Sequence, residues 1–296
     1  MIEGIIAVDK PPGLTSHDVV GRIRHLAGTR RVGHGGTLDP LASGLLVIAV
    51  GRATRLLEYV LGQAKEYQAL VRLGQTSTTY DGEGELADSG DPNVSQSDVI
   101  AALGRFRGDI EQIPPMYSAV KQEGKPLYQL ARKGVAVERE PRNVIIYELE
   151  LLSHETPDLT LHVRCSSGTY IRSLAHDLGQ ELGCGAYLAG LRRTVVGHFE
   201  LRHALPLNAL TAETLTDHVQ AMDSAVLHLP RLLVRRQEAE SLSQGQRILV
   251  GEGHPQQELV RAYDETGRFV GIVTREQSQW RPRKIFYEDP SSASRC

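Results

Sequence analysis

Residues 33–50 read Gly33-His34-Gly35-Gly36-Thr37-Leu38-Asp39-Pro40-Leu41-Ala42-Ser43-Gly44, followed by Leu45-Leu46-Val47-Ile48-Ala49-Val50. The second part is an unbroken aliphatic run. It has the length of a strand buried on both faces and falls far short of the ~20 residues of a membrane span. The first part is a glycine-rich loop that ends on a carboxylate. A residue before proline is pushed to extended geometry, so Asp39 can be presented outward into a cleft. From local sequence alone an Asx-turn at Asp39-Pro40 is the alternative. His34, set among glycines, is either a solvated loop residue or part of the same cleft.

Upstream, Gly4 to Val8 forms a short apolar strand, stopped by Lys10-Pro11-Pro12-Gly13. Ser16 is expected to cap a helix from His17 to about Leu26, with Val19, Val20, Ile23 and Leu26 on one face. Downstream, Tyr67, Ala69, Val71 and Leu73 alternate along a strand, so Tyr67 reads equally as a core residue. An acidic loop over 81–98 ends in Ser95-x-x-Asp98, a capping box for a helix to about Phe106. Residues 117–142 are polar, basic and broken by glycines; such long excursions from compact domains are usually functional. Strands follow at Val144 to Leu152 and Leu159 to Cys165, then a helix from Ser173 to Leu182, stopped by Gly183. Arg172 falls near the start of that helix, where the macrodipole favours anions. Either it is exposed there, or a partner carboxylate holds it.

A joint at Leu227 to Leu232 separates off strands at Leu259 to Tyr263, Phe269 to Thr274 and about Arg281 to Phe286. These form a small all-β unit of roughly 60 residues, near the lower limit for independent folding. The expected domains are residues 1–228 and 229–290, with a disordered tail after Pro290.

The chain has 296 residues, 33 Lys+Arg against 36 Asp+Glu, and a net charge of −3. Hydrophobic residues at 41% and charged residues at 23% exclude global disorder, collagen and a continuous coiled coil. The total hides segregation: basic residues dominate 1–80, acids dominate 81–98, and basic residues resume from Lys121. This is compatible with a positive face for a polyanion, or with an ordinary mixed surface. Three cysteines without a CxxC pair, and an N-terminus without a basic-then-apolar leader, point to reduced thiols in the cytoplasm. There is no Walker A loop, HExxH or GxSxG, and Leu38 occupies the third glycine position of a would-be GxGxxG. The 11 histidines show no ligand spacing, so no metal and no cofactor are expected.

Taken together, these segments resemble the TruB-type tRNA pseudouridine synthases of bacteria. Asp9-Lys10-Pro11-Pro12-Gly13-Leu14-Thr15-Ser16 resembles the family's opening motif, and Gly33 to Gly44 the segment holding its catalytic aspartate. Lys65-Glu66-Tyr67 and Gly74-x-Thr76-x-Thr78-x-Tyr80-Asp81-Gly82 resemble the next blocks. Pro114-Pro115-Met116-Tyr117-Ser118-Ala119-Val120-Lys121 through Ala131-Arg132 resembles its RNA-gripping thumb. Cys165 to Arg172, and Leu191-Arg192-Arg193-Thr194 with Gly197 and Phe199, complete the set. Gly35 stands where many relatives have threonine.

The resemblance implies an α+β pseudouridine synthase fold: a mixed, largely antiparallel sheet carrying the cleft, a thumb over about 117–142, and a C-terminal PUA-like domain. It implies cofactor-free isomerisation of a uridine in the tRNA T loop, at position 55 of standard tRNA numbering. The target base must leave its stack, at a cost of a few kcal/mol. Asp39 is then the catalytic carboxylate, held ionised at neutral pH by Arg172, and Tyr67 is the platform for the flipped base. His34 assists extrusion or occupies the vacated space, Asp81 plays a supporting role, Tyr170 packs beside Arg172, and Leu191 to Arg193 close the base pocket. Lys10, Lys121, Arg132 and Arg142 are candidate phosphate contacts, and the thumb orders on RNA binding. A monomer with tRNA as partner, with no membrane and no required protein partner, is expected. The alternatives are pseudouridylation of another RNA, an RNA-binding or folding module, and a hydrolase acting on nucleosides.

Overall fold

A computed structural model describes residues 2–118, 121–122, 125–127 and 137–288, with 121–122 and 125–126 described by backbone only. Its frame is one large mixed sheet. Strand β1 (Gly4–Lys10) leads to helix α1 (Ser16–Ala27), β2 (Val32–His34) and β3 (Ser43–Val50). Helix α2 (Leu57–Leu61) and strand β4 (Lys65–Leu73) follow. A short pair follows, β5 (Gln75–Ser77) and β6 (Leu86–Asp88), and β6 lies within the stretch read as an acidic loop. Then come α3 (Gln96–Gly104), β7 (Gly108–Gln112), and the two-residue strands β8 (Lys121–Gln122) and β9 (Lys125–Pro126). The long hairpin β10 (Arg142–Glu155) and β11 (Asp158–Cys165), helix α4 (Ile171–Glu181) and β12 (Ala186–Val196) complete the frame. Across the sheet the order is β1, β3, β12, β4, β11, β10, β7, and the β3–β12 pair is parallel while the others in this run are antiparallel.

The aliphatic run in β3 is explained by burial on both faces. Leu46, Ile48 and Val50 pack with Ile6, Val8 and the α1 residues Val19, Val20 and Ile23. Leu45, Val47 and Ala49 face the other way, onto Leu56, Val60 and Phe199. Each such buried aliphatic side chain contributes about 1.5–3 kcal/mol.

One cap is displaced by a residue from expectation. Thr15, not Ser16, caps α1: its hydroxyl accepts from the Asp18 amide at 3.1 Å, and its own amide donates to the Asp18 carboxylate at 2.8 Å. Ser16 is buried instead. Its hydroxyl donates to the Leu38 carbonyl at 3.0 Å and accepts from the Leu38 amide at 2.8 Å, which ties α1 to the residue before Asp39.

Helix α4 lies very close to β12. A Cβ on Gly179 would fall 2.0 Å from the Ala186 amide nitrogen, a backbone atom that cannot swing aside. Gly179→Ala is therefore expected to destabilise the protein by ~3 kcal/mol or more, as overpacking against backbone does. Urea unfolding would show this; an unchanged midpoint would contradict the close approach.

The C-terminal residues form a second, five-stranded sheet. Its strands are β13 (Arg231–Leu233), β14 (Ile248–Leu249), β15 (Leu259–Tyr263), β16 (Phe269–Glu276) and β17 (Gln279–Ile285). The all-β expectation describes the sheet but omits one helix, α5 (Arg236–Ser243), whose Ala239 and Leu242 are buried against Trp280 and Val260. With two apolar contacts in eight residues, its periodic signal is too brief to read. Ile272 and Phe286 of this unit share a buried cluster with Ala53, Leu56 and Tyr59. No helix among the described residues is long and apolar enough to cross a membrane. Half of the 117–142 excursion and the tail from Pro290 lie outside the described residues.

Candidate active site

A cleft of about 890 Å³ opens where the 36–40 loop, β4, the 78–85 loop, the 117–118 segment and the start of α4 converge. Asp39, Tyr67, Asp81, Tyr170, Arg172 and Leu191 all line it. Local chemistry brings each element there. The Gly36–Pro40 loop is pinned by Ser16 at Leu38, and its reversal is closed by the Ala42 amide donating to the Asp39 carbonyl at 3.0 Å. The Asp39 side chain does not close that turn; it leaves it for Arg172.

Arg172 is buried, so it is not an exposed first-turn residue. Its Nη2 lies 3.0 Å from Asp39 Oδ2 and donates to the Tyr117 carbonyl at 2.9 Å. Its Nη1 lies 3.4 Å from Asp81 Oδ2 and donates to the Thr79 carbonyl at 3.4 Å. One guanidinium thus joins two carboxylates and two loops, which its fork of donors suits. The Asp81 carboxylate is itself buried and accepts from the Thr79 hydroxyl and from the Glu83 amide at 3.1 Å.

The Asp39 side chain keeps 41% of its surface accessible, facing the cleft, although protein surrounds it on the other sides. Burial raises its pKa, Arg172 lowers it, the nearby Asp81 charge raises it and Lys10 lowers it; the net displacement is upward from the ordinary carboxylate value. The expected pair with Arg172 forms, but burial outweighs it. Burial likewise pushes the Tyr67 phenol up, against the Arg193 charge. Tyr67 therefore offers the cleft a neutral O–H.

Several expected contacts are placed elsewhere. Lys10 is not a surface cation for phosphate. It is fully buried, and its ammonium donates to the carbonyls of Pro11 at 2.8 Å, Leu14 at 2.6 Å and Pro40 at 3.5 Å. It clamps the opening turn to the residue after Asp39: the turn supplies the Pro11 and Leu14 carbonyls, and the Pro40 carbonyl, which also accepts from the Gly13 amide at 2.8 Å, supplies the third. His34 does not line the cleft; its Nδ1 accepts from the Gly36 amide at 3.4 Å, and burial lowers its pKa. Arg142 is exposed at the start of β10, paired with Gln112 at the sheet edge. The Lys121 side chain and all of Arg132 lie outside the described residues.

Three contributors play parts that the sequence did not assign them: Arg193 and Lys65 stood only within motif blocks, Arg193 as part of the pocket closure, and Gln112 was not named. Arg193 is almost fully buried and donates to three carbonyls: Leu45 at 2.8 Å, Gly36 at 3.0 Å and Thr37 at 3.3 Å. It holds the loop leading to Asp39. Alternation along β12 was the available signal, since Leu191 and Arg193 share a face. Lys65 lines the cleft with its pKa pushed down to about 8, chiefly by burial and then by Arg193. Gln112 grips Tyr170 on both backbone groups, accepting from its amide at 2.7 Å and donating to its carbonyl at 2.9 Å. Nothing in the local pattern marked it.

Comparison with known proteins identifies the chain's relatives. Residues 24–171 match the TruB family pseudouridylate synthase N-terminal domain, 172–233 the tRNA pseudouridylate synthase B C-terminal domain, and 230–285 the pseudouridine synthase II TruB C-terminal model. The tRNA pseudouridine synthase B of Pseudomonas aeruginosa is 46% identical over 278 residues, 92% of this chain and 91% of its own. That of Pasteurella multocida is 38% identical over 296 residues, 97% of this chain and 96% of its own. A solved structure of an H/ACA RNP bound to a substrate RNA containing 2′-deoxyuridine superposes with a TM-score of 0.73 at 27% identity, covering 97% of this chain and 86% of that one. The chain belongs to the TruB family of pseudouridylate synthases.

Proposed function

We propose that this protein isomerises a uridine of tRNA to pseudouridine, at the T-loop position 55, and that Asp39 carries the reaction. The observation that supports this most directly is the Asp39–Arg172 ion pair at 3.0 Å on the wall of a cleft also lined by Tyr67. In the reaction the C1′–N1 bond breaks, a C1′–C5 bond forms to the same ribose, the C5 hydrogen leaves as a proton, and N1 gains one. No electron is exchanged with an outside acceptor. Whether the carboxylate adds to the base, adds to the ribose or removes a ribose proton, it must be ionised. Arg172, a permanent cation, keeps it so at neutral pH against the pull of burial.

Tyr67 supplies the stacking face for the flipped base, worth about 1–3 kcal/mol, and its neutral hydroxyl takes the C5 proton late in the reaction as it gives up its own, acting as a relay rather than as a free base. Leu191 closes the base pocket, Tyr170 packs at its rim, and His34 assists extrusion from beside the loop. Residues 1–228 form the catalytic domain and 229–290 a PUA-like RNA-binding domain. Arg142, with Lys121 and Arg132 of the thumb, meets phosphates. The protein works as a cytoplasmic monomer that needs tRNA and no protein partner.

The test is tritium release from unmodified tRNA transcript labelled at uracil C5, with the modified position mapped. Release with pseudouridine at the T-loop uridine is expected. Modification at another RNA would replace the substrate assignment, and release of free uracil would overturn the isomerase reading in favour of a hydrolase.

A further inference from the structure

Among the described non-glycine residues, only Tyr80 and Gln277 have left-handed backbone, with φ of 65° and 56°. For a bulky aromatic this is a strained conformation that persists only where the surroundings over-determine it. Tyr80 lies between the two groups of its loop that reach Arg172. The Thr79 carbonyl accepts from Nη1 at 3.4 Å, and the Asp81 carboxylate lies 3.4 Å from the same atom. The backbone turn at Tyr80 therefore aims both at the guanidinium that meets Asp39.

The Tyr80 ring lies flat on His176, with centroids 4.0 Å apart and planes 11° from parallel. His176 stands four residues after Arg172 on α4, on the same helix face. Its Nδ1 is buried without a hydrogen-bond partner among the described residues. Burial and the nearby Arg139 charge both lower its pKa, so the ring is neutral and offers its flat face. The Tyr80 backbone is held on the other side, its carbonyl accepting from the Leu188 amide at 3.0 Å. We infer that His176 is a positioning residue: stacked on Tyr80, it locks the left-handed turn that sets Thr79 and Asp81 around Arg172, and so the direction from which Arg172 holds Asp39. This rests on the isomerase reading above.

The test compares His176→Ala, which deletes the stack, with His176→Phe, which keeps a flat ring without nitrogens. H176A is expected to lower kcat ~10- to 100-fold, as small misplacements of reacting groups do, with KM for tRNA changed less than about twofold. H176F is expected to stay within about threefold of the parent, since the ring face is what acts. Tyr80→Gly adopts the turn without a clamp, so adding H176A to it should change kcat less than about twofold.

Equal loss in H176F and H176A, full additivity with Y80G, or a loss confined to KM would overturn the assignment. If H176A does not fold, His176→Gln takes its place. The guanidinium ¹⁵N–H resonances of Arg172 in the RNA-free protein provide a readout independent of turnover. They are expected to shift in H176A and not in H176F, and no shift in H176A would overturn the proposal. Should the parent protein form no pseudouridine, the isomerase reading fails while this readout still decides the positioning role.

Discussion

Asp39→Asn is expected to lower kcat by at least ~10⁴-fold, the scale on which removal of a reacting group acts, while tRNA is still bound. The side chain keeps its shape but loses the charge needed on every route to the product. The phosphate contacts proposed on the thumb and the surface do not involve it, so Kd should change little. Single-turnover tritium release and a filter-binding titration with the same tRNA separate the two. Turnover near the parental rate would remove Asp39 from the mechanism, and loss of binding in parallel would make it a structural residue.

The same carboxylate sets the acid limb of the reaction. Its folded pKa lies above the ordinary 3.8, with burial as the largest cause. Since only the ionised form reacts, kcat/KM should fall with decreasing pH at a value above the ordinary 3.8. The linkage sign is the reverse of a stabilising ion pair. The native state binds this proton more tightly than the unfolded chain, so the associated stability is full below the unfolded pKa and lost as pH rises through the folded one. The fold therefore stores a cost at Asp39 at neutral pH, as reactive groups in functional sites commonly do. A pH–rate profile with its acid limb at or below 3.8 would contradict this.

Arg172→Met is expected to have the second largest effect, and it should appear in stability as well as rate. The substitution leaves the buried Asp81 carboxylate and Asp39 without their shared cation and frees the carbonyls of Thr79 and Tyr117. Removing one partner of a buried ion pair costs about 3–5 kcal/mol. Turnover should fall because Asp39 loses both its orientation and its main charge partner, so its acid limb moves further up. Adding Asp81→Asn to Arg172→Met should recover part of the stability, since the orphaned carboxylate is then gone, but none of the rate. Arg172→Lys should not rescue, because a single ammonium cannot span both carboxylates and both carbonyls. Urea unfolding at neutral pH checks the first claim, and tritium release checks the others. Full stability in Arg172→Met would mean that Asp81 finds another partner.

Local sequence was sufficient for much of the frame. Alternation in 67–73 and 159–165 and the helical spacing of Leu174 and Leu178 each encode a period that one element type satisfies, and the shortness of the aliphatic run 45–50 favours a strand over a helix. The motif blocks carried the identity of Asp39, Tyr67, Asp81 and Arg172, and those four do line one cleft. The direction of a charged side chain was not legible in the same way. Lys10 and Arg142 look alike as exposed cations in sequence, yet one is sealed inside a ring of carbonyls and the other stands exposed at the start of β10. Ser16 and Thr15 are equivalent caps by composition. Only the approach of Leu38 from another part of the chain takes the Ser16 hydroxyl and leaves the cap to Thr15.

By itself, then, the sequence determined the elements, the family and the residue types of the reacting centre, because periodicity, turn chemistry and motif spacing are local properties. The tertiary structure alone decided which carboxylates share Arg172, that Arg193 and Gln112 hold the loops around them, and that Tyr80 must be turned left-handed to complete the set. Those outcomes depend on burial and on contacts between segments far apart in the chain. The same burial decides the charge balance at Asp39, since removing water from a carboxylate acts against the cation beside it.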